Sequence, residues 1–413
     1  MVFRKYKPVT QWGKQDTRIF KAILNARNAR RMPAFRIPDA VKNLGVQVYD
    51  PNAPGFFESE SVQRVVRDHE RSRKATADQD HPLYQSTPCH LFDGSDPMSD
   101  GMAQACAIAK AVLRTDFPEH ILENGIDIDE KYIHDAILHG EKFDPTLEKL
   151  PRRFDPVIFW VTHPRVHGTP VIKRGNIILD DLFRHIILAA LRSGKIDAAD
   201  LKLDRDEPLS SCLKSSPYFN ERPLVIRGQP HITVHSRKPE RPWIKEEQLQ
   251  EFQSSAVPSI HPLSPLIDLG SKNIYNIDPV VARPQQATSL GLHSLAWTRE
   301  QSQKYPWTTE QNAANAILYT FGAAMAEAKR RGQRDLTKSP VMARGVQLVD
   351  GKIDLVAVQL NTLDLSDGAP QKNIVWVHKA LRLYKSRPFY EQLTAVEDLD
   401  TSVIKKLSAL ILS

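Results

Sequence analysis

Three polar residues around one predicted strand could support chemistry. Asp354 lies within the apolar run Ile353–Leu360, and Gln359 and Asn361 lie where that run ends. Nucleases of the restriction-endonuclease type place an acid and a Glu/Gln-x-Lys pair on such a hairpin, to hold a metal ion that polarises water. Here Asn361 stands at the lysine position, and the acid is too close in sequence to the glutamine. A metal-dependent nuclease, active or degenerate, is therefore one hypothesis, and a hydrogen-bonded strand end is the simpler one.

Other motifs that carry chemistry are missing or incomplete. The sequence contains no phosphate-binding loop, no dinucleotide-binding glycine pattern and no nucleophile elbow. His163 and His167 are four residues apart, but a proline and a glycine beside them argue against a helix that presents both to zinc. The acidic segment 127–130 lacks the glycine that a calcium loop requires. The sequence thus predicts no catalytic residue, no metal ligand and no cofactor.

Basic residues are concentrated in two parts of the chain. Residues 1–80 hold 16 lysines and arginines against nine acidic residues, whereas the remaining 333 residues hold 40 of each kind. In the segment 222–241, arginines lie near histidines and Trp243, which suits contacts with RNA phosphates and bases. A solvated hairpin explains that segment equally well. The candidate RNA-binding residues are Arg18, Lys21, Arg27, Arg30, Arg31, Arg227, Arg237 and Lys238.

The first 36 residues carry ten lysines and arginines and one acid, Asp16. Ile19, Phe20, Ile23 and Leu24 could share one helix face opposite the cations. Such a cationic amphipathic segment has the composition of an import presequence, although it lacks the serine that is usual there. A basic arm lying on RNA phosphates and a frayed, solvated terminus are the alternatives.

The elements that would position Asp354 are the most regular in the sequence. Thr308 and Gln311 form a capping-box pattern, and a helix with an apolar face is predicted over 308–331, with Gly332 beyond its end. Small residues around Gly322 would let another backbone pack closely. Strands are predicted over 346–377, with an Asp350-Gly351 hairpin turn between the first two. A sheet packed against an alanine-rich helix is the expected product.

These patterns predict a mixed α/β fold, in which a mixed sheet packs with helices and an extended basic N-terminal tail precedes it. Three regions are predicted: the extension 1–80, an α/β region over 81–250 and a second over 251–413. A strand is also predicted at Val157–Val161. Leu224–Ile226 and His231–Val234 are predicted to form a hairpin with an irregular turn.

The composition indicates the kind of environment in which the chain would be found. Three cysteines without any paired spacing suit a reducing environment, and no run approaches the roughly 20 apolar residues that a membrane-spanning helix needs. Proline, at 29 residues, outnumbers glycine, at 18, which favours extended connections over glycine loops that cradle phosphates.

Several segments form a distinctive series along the chain: His81–Tyr84 with Cys89 and Phe92, Pro262–Leu269 with Asn273–Tyr275, Phe321-Gly322, and Gln359–Thr362 with Asp364-Leu365 and Asn373–Val377. In this order they resemble the family of the mitochondrial ribosomal large-subunit protein numbered thirty-seven. A sister family, the ribosomal protein once linked to programmed cell death, shares the same domain. The resemblance covers about residues 81–380 and is densest after Pro262.

This resemblance implies a non-enzymatic, structural component of the mitochondrial large ribosomal subunit, bound to the ribosome in the matrix. It implies contacts with large-subunit rRNA and with other large-subunit proteins, including the homologous sister protein. It does not say which residues contact RNA. The basic residues given above are predicted on physical grounds alone.

Overall fold

The computed structural model describes residues 22, 39, 43–45, 90–142, 144–155, 157–213, 224–238, 241–258, 280–281, 290–332, 336, 338–365, 371–391 and 393–413. Contacts divide the chain into two units, Met1–Pro82 and Leu83–Ser413. Nearly all of the described residues belong to the second unit, and the fold below is that of this unit. The predicted extension 1–80 and the two predicted α/β regions stay predictions.

Seven helices and thirteen strands occur among the described residues. The helices are α1 (Gly101–Ala109), α2 (Glu119–Leu122), α3 (Glu130–Gly140), α4 (Val171–Arg192), α5 (Glu246–Ser254), α6 (Thr309–Arg331) and α7 (Thr401–Leu412). The strands are β1 (His90–Phe92), β2 (Ala111–Arg114), β3 (Glu148–Lys149), β4 (His167–Gly168), β5 (Leu201–Arg205), β6 (Leu209–Leu213), β7 (Leu224–Gly228), β8 (Ile232–Ser236), β9 (Val280–Val281), β10 (Gly291–Thr298), β11 (Val341–Val349), β12 (Lys352–Leu360) and β13 (Asn373–Arg382).

A mixed seven-stranded sheet forms the centre, in the order β2-β13-β12-β11-β10-β8-β5. The pairs β2/β13 and β10/β11 are parallel and the other pairs are antiparallel. The strands β11 and β12 are apolar on both faces because both faces are covered, as the sequence predicts. The predicted mixed α/β fold is confirmed.

Helix α6 lies between the large sheet and a smaller one. The smaller sheet has the order β1-β7-β6-β9, and α6 contacts three of its strands as well as β11, β12 and β13 of the large sheet. Every residue of α6 from Asn312 to Ala328 is buried. The predicted capping box at Thr308 and the left-handed glycine Gly332 mark its ends. The other face of the large sheet is covered by α4 and α7, which contact β11.

The hairpin between β11 and β12 turns as predicted. Asp350 has φ +47° and Gly351 has φ +69°, which are the positive angles that a type I′ turn requires. A Cβ atom at Gly351 would lie 2.5 Å from the carbonyl oxygen of Tyr384, so the chain that follows β13 also packs on this turn.

Two sequence predictions are wrong. Val157–Val161 is not a strand; its residues form bends and turns at the surface. The strands β7 and β8 do not form a hairpin, since β7 pairs with β1 and β6 whereas β8 pairs with β10 and β5. The segment between them carries the chain from the small sheet to the large one. A short apolar–polar–apolar pattern reveals two strands, but it does not reveal that they enter different sheets.

Candidate functional site

Asp354 is buried in β12, on the sheet face covered by α6. Its Oδ1 accepts a hydrogen bond from the backbone N–H of Ala380 at 2.7 Å, and its Oδ2 accepts one from Nε2 of Gln347 at 3.1 Å. Burial raises the pKa of Asp354 to about 6, against the smaller lowering effect of these two donors. The carboxylate is therefore engaged on both oxygens by protein donors.

A β-bulge explains the contact with Ala380. Ile353 pairs with Leu381 and Leu355 pairs with His378, so Asp354 lies opposite two residues of β13 rather than one. Ala380 has φ +49°, which turns its N–H out of the ladder and toward the carboxylate. At the bulge the N–H of Ala380 has no partner in the strand ladder, and the side chain of Asp354 supplies the acceptor instead.

Gln347 of β11 connects Asp354 to α6 and β10. Its Oε1 accepts hydrogen bonds from Nε1 of Trp297 at 3.1 Å and from Nδ2 of Asn315 at 2.7 Å. Its Nε2 donates to the carbonyl oxygen of Asn312 at 3.0 Å as well as to Asp354. The amide uses its whole hydrogen-bonding capacity, because two acceptor sites and two donors are filled. This is the arrangement of a buried structural network.

Gln359 lies on the opposite sheet face. Its Oε1 accepts from the backbone N–H of Ile244 at 3.0 Å, and its Nε2 donates to the carbonyl oxygen of Ile244 at 2.9 Å and to Oδ1 of Asn361 at 3.1 Å. The side chain therefore binds the segment before α5 in the way that a neighbouring strand would.

The end of β12 is held by a second amide. Oδ1 of Asn373 accepts hydrogen bonds from the backbone N–H groups of Asn361 at 2.8 Å and Thr362 at 3.0 Å. Its Nδ2 donates to the carbonyl oxygen of Ala109 at 2.8 Å. The predicted hydrogen-bonded junction at the strand end is confirmed, and it ties β12 and β13 to the end of α1.

The nuclease hypothesis requires Asp354 and Gln359 to converge on one metal ion. They are five residues apart in a strand and project from opposite faces, because side chains alternate along a strand. Their partners differ accordingly: Asp354 contacts Gln347 below α6, whereas Gln359 contacts Ile244. Within the described part of the chain, no group of three or more His, Cys, Asp or Glu residues could hold a metal ion.

The predicted RNA-binding residues fall into separate groups. Arg227 is exposed at the end of β7 in the small sheet, and Arg237 and Lys238 are exposed beyond β8 in the large sheet. Nζ of Lys238 lies 2.7 Å from Oδ2 of Asp200. Since β7 and β8 do not form a hairpin, the three residues do not share one loop. Arg18, Lys21, Arg27, Arg30 and Arg31 lie outside the described residues.

A surface cavity of about 590 Å³ was not anticipated. At its edge Arg174, buried in the first turn of α4, binds Glu141 across 3.1 Å and donates to the carbonyl oxygen of Phe389 at 2.7 Å. The hydroxyl of Tyr384 donates to the same carboxylate, Oε1 of Glu141, at 2.6 Å.

These groups are bound to one another and to backbone carbonyls, so they brace α3 and α4 against the segment after β13. The sequence signal for the brace is an arginine on the inward stripe of an amphipathic helix, where Arg174, Ile178 and Asp181 are all buried.

Glu300 and Asp350 are among the other carboxyl groups that line the cavity. Burial raises the pKa of Glu300, and the neighbouring Asp350 adds to the rise. Burial also raises the pKa of Asp350, a shift that the cation of Lys352 opposes. The sequence singled out Asp350 only as a hairpin-turn residue, and it did not single out Glu300, which lies in a loop without a motif.

No helix in the described ranges has the length and apolar character needed to cross a membrane.

Comparison with known proteins identifies relatives along most of the chain. The chain is 24% identical over 364 residues to large ribosomal subunit protein mL37 of Rattus norvegicus, a match that spans 83% of this chain and 79% of the relative. It is 23% identical over 329 residues to the Bos taurus protein of that name (77% and 71%), and 25% identical over 364 residues to the Gallus gallus protein (81% and 76%). No family model matches the sequence. The chain is homologous to large ribosomal subunit protein mL37 over about 80% of its length, which confirms the resemblance found from the sequence.

Proposed function

We propose that this chain is a structural component of the mitochondrial large ribosomal subunit, where it supports translation through contacts with rRNA and neighbouring proteins. The observation that carries the proposal is its homology to mL37, which extends over about four fifths of this chain and of the rat relative. A match of that extent is far longer than any single helix or strand pair, so a ribosomal protein related over most of its length is the simplest explanation.

The buried polar groups support a structural role rather than an enzymatic one. Asp354, Gln347, Gln359 and Asn373 are each bound to protein donors or acceptors that fix strands and helices. A catalytic carboxylate needs an oxygen accessible to substrate, water or metal. Both oxygens of Asp354 are instead occupied beneath α6.

The partners follow from charge and from homology. We propose that rRNA is contacted by the basic N-terminal extension, through Arg18, Lys21, Arg27, Arg30 and Arg31, and by the exposed residues Arg227, Arg237 and Lys238 of the body. Other large-subunit proteins, including the homologous sister protein, are the proposed protein neighbours. The extension 1–80 serves as an import signal, an RNA arm or both, and the α/β regions 81–250 and 251–413 form the ribosome-bound body in the matrix.

Sedimentation of native particles tests this function. Mitochondria are lysed in non-ionic detergent at moderate salt and separated on a sucrose gradient, with the tagged full-length chain followed by immunoblot. We expect the chain to migrate with large-subunit rRNA and to shift to the top of the gradient when the particle is dismantled with EDTA and ribonuclease. A chain that stays at the top while large subunits migrate would overturn the proposal.

A further inference from the structure

A loop closed by the two-stranded β3/β4 ladder holds large apolar side chains in solvent. We define the Trp160 loop as residues 150–166, and its exposed apolar residues are Val157 (77% exposed), Phe159 (67%), Trp160 (67%), Val161 (42%) and Val166 (39%). The rings of Phe159 and Trp160 pack edge to face with centroids 5.0 Å apart. Large apolar side chains exposed together in one loop are the kind of surface that marks an interaction site in a folded protein.

The Trp160 loop is held in shape by its own polar groups. Oδ1 of Asp155 accepts hydrogen bonds from the backbone N–H groups of Val157 at 2.9 Å and Ile158 at 3.3 Å. Nε of Arg165 donates to the carbonyl oxygen of Leu150 at 2.8 Å, and its Nη2 donates to that of Lys149 at 2.9 Å. The backbone of Phe154 donates to Oε1 of Gln303 at 3.0 Å, which ties the loop to the segment after β10. The apolar side chains are thus presented by an ordered framework, which lowers the entropy cost of binding.

The rim of the loop is cationic. Arg152, Arg153 and Arg165 of the loop and the preceding Lys149 are exposed, and the guanidinium of Arg153 lies 4.8 Å from the centroid of the Tyr390 ring. The only carboxylate within 149–166 is Asp155, and its Oδ1 is occupied by the loop's own N–H groups. An apolar centre with tryptophan and phenylalanine and an arginine-rich rim is the composition of a protein–protein interface.

We propose that the Trp160 loop docks into an apolar groove with an acidic rim on another protein. A protein groove is favoured over RNA because the valines beside the aromatic pair offer no ring for base stacking, and because Phe159 and Trp160 already pack on each other. Aspartate and glutamate at the groove's edge would complement the four cations of the rim. This docking proposal rests on the proposed function: within the large ribosomal subunit, it assigns one protein contact to a defined loop.

Site-specific crosslinking tests the proposal. Trp160 is replaced by the photoreactive amino acid p-benzoylphenylalanine in the full-length chain, and intact cells are irradiated before lysis and gradient sedimentation. The matched control carries the same amino acid at Tyr132, which is half-exposed on α3 and stacks on His185 away from the loop. Crosslinked peptides are sequenced. The irradiation is repeated with Arg152→Glu and Arg153→Glu introduced together.

The expected product joins position 160 to one segment of another protein, with apolar residues flanked by aspartate or glutamate. The double charge reversal should reduce its yield severalfold, and lysines at the partner's acidic positions should restore it. A product sensitive to ribonuclease, a product with this same chain, a yield no higher than at position 132, or a yield unaffected by charge reversal would overturn the proposal. Irradiation precedes fractionation, so the two proposals can fail separately. A crosslink to one segment with flanking acidic residues, on a chain that does not sediment with large subunits, would support the docking site and contradict the ribosomal function.

Discussion

Asp354 shows how the same residue type can indicate either chemistry or structure. Burying an acid within an apolar strand costs free energy, and a functional carboxylate is one reason for such a residue to be present. The structure shows another reason: the bulge at Ala380 leaves an N–H that needs an acceptor, and Gln347 offers a second donor. The sequence identified Asp354 and Gln359 as candidates for either a metal-dependent site or a hydrogen-bonded strand end. It did not identify the role of Asp354, because a bulge in the partner strand leaves no mark in the sequence of β12.

The buried carboxyl of Asp354 should make stability depend on pH in one direction. Its pKa rises from 3.8 to about 6 on folding. The folded state therefore binds this proton more tightly, and the stability it contributes is complete below pH 3.8 and lost as the pH rises through about 6. Relative to Asp354→Asn, whose amide does not titrate, the wild-type free energy of unfolding should fall by roughly 2 kcal/mol between pH 4 and pH 7.

Urea unfolding of the two full-length proteins at several pH values measures this difference. Asp398→Asn serves as the matched control, because it makes the same substitution at an exposed carboxylate, whose Oδ2 lies 3.8 Å from Nη1 of Arg382. Parallel stability curves for the wild type and Asp354→Asn would contradict the prediction.

At the scale of elements, helix α6 and the glycines around it set the spacing of the layers. The sequence predicted the bounds of this helix, its caps and the small residues at Gly322, because these depend on local patterns. A Cβ atom on Gly322 would lie 2.4 Å from Cγ2 of Ile226 in β7, so the small sheet packs closely on this glycine, through a side chain and not through the backbone that the sequence predicted. The second sheet itself was not predicted, since its strands are short and come from distant parts of the chain.

The contact between α6 and β11 provides a test of this spacing. A Cβ atom on Gly345 would lie 2.0 Å from Oγ1 of Thr320, a side chain buried in α6 that donates to the carbonyl oxygen of Ala316. Gly345→Ala should therefore lower the free energy of unfolding by about 1–3 kcal/mol through overpacking. Thr320→Ala in the same chain removes the clashing atom and should recover most of the loss.

A double-mutant cycle by thermal or urea unfolding measures the coupling of Gly345→Ala and Thr320→Ala. We expect the pair to be clearly less destabilised than the sum of the single variants. Additive effects would mean that β11 and α6 do not pack at this distance.

For the whole molecule, the distribution of charge is the property that the sequence alone could establish. The excess of basic residues lies in residues 1–80, and the rest of the chain is balanced. Within the described body, many charged residues also pair with each other, as Arg174 does with Glu141 and Lys238 with Asp200. The exposed position of the Trp160 loop, by contrast, could not be predicted from the sequence. Its apolar run is typical of a buried strand, and only the fold reveals that nothing within the described chain covers it.

This division of charge predicts where the salt dependence of RNA binding originates. Each cation that neutralises a phosphate contributes about 0.7 to the slope of log K against log salt for single-stranded RNA, because counterions are released. Replacing Arg18, Lys21, Arg27, Arg30 and Arg31 by glutamine in the full-length chain should lower the slope by up to about 3.5. Replacing Arg227, Arg237 and Lys238 should lower it by less, since Lys238 already pairs with Asp200. Fluorescence anisotropy with a large-subunit rRNA fragment at roughly 50–200 mM salt measures both slopes. A greater loss from the second set would contradict the prediction, because it would place the main RNA contact on the folded body.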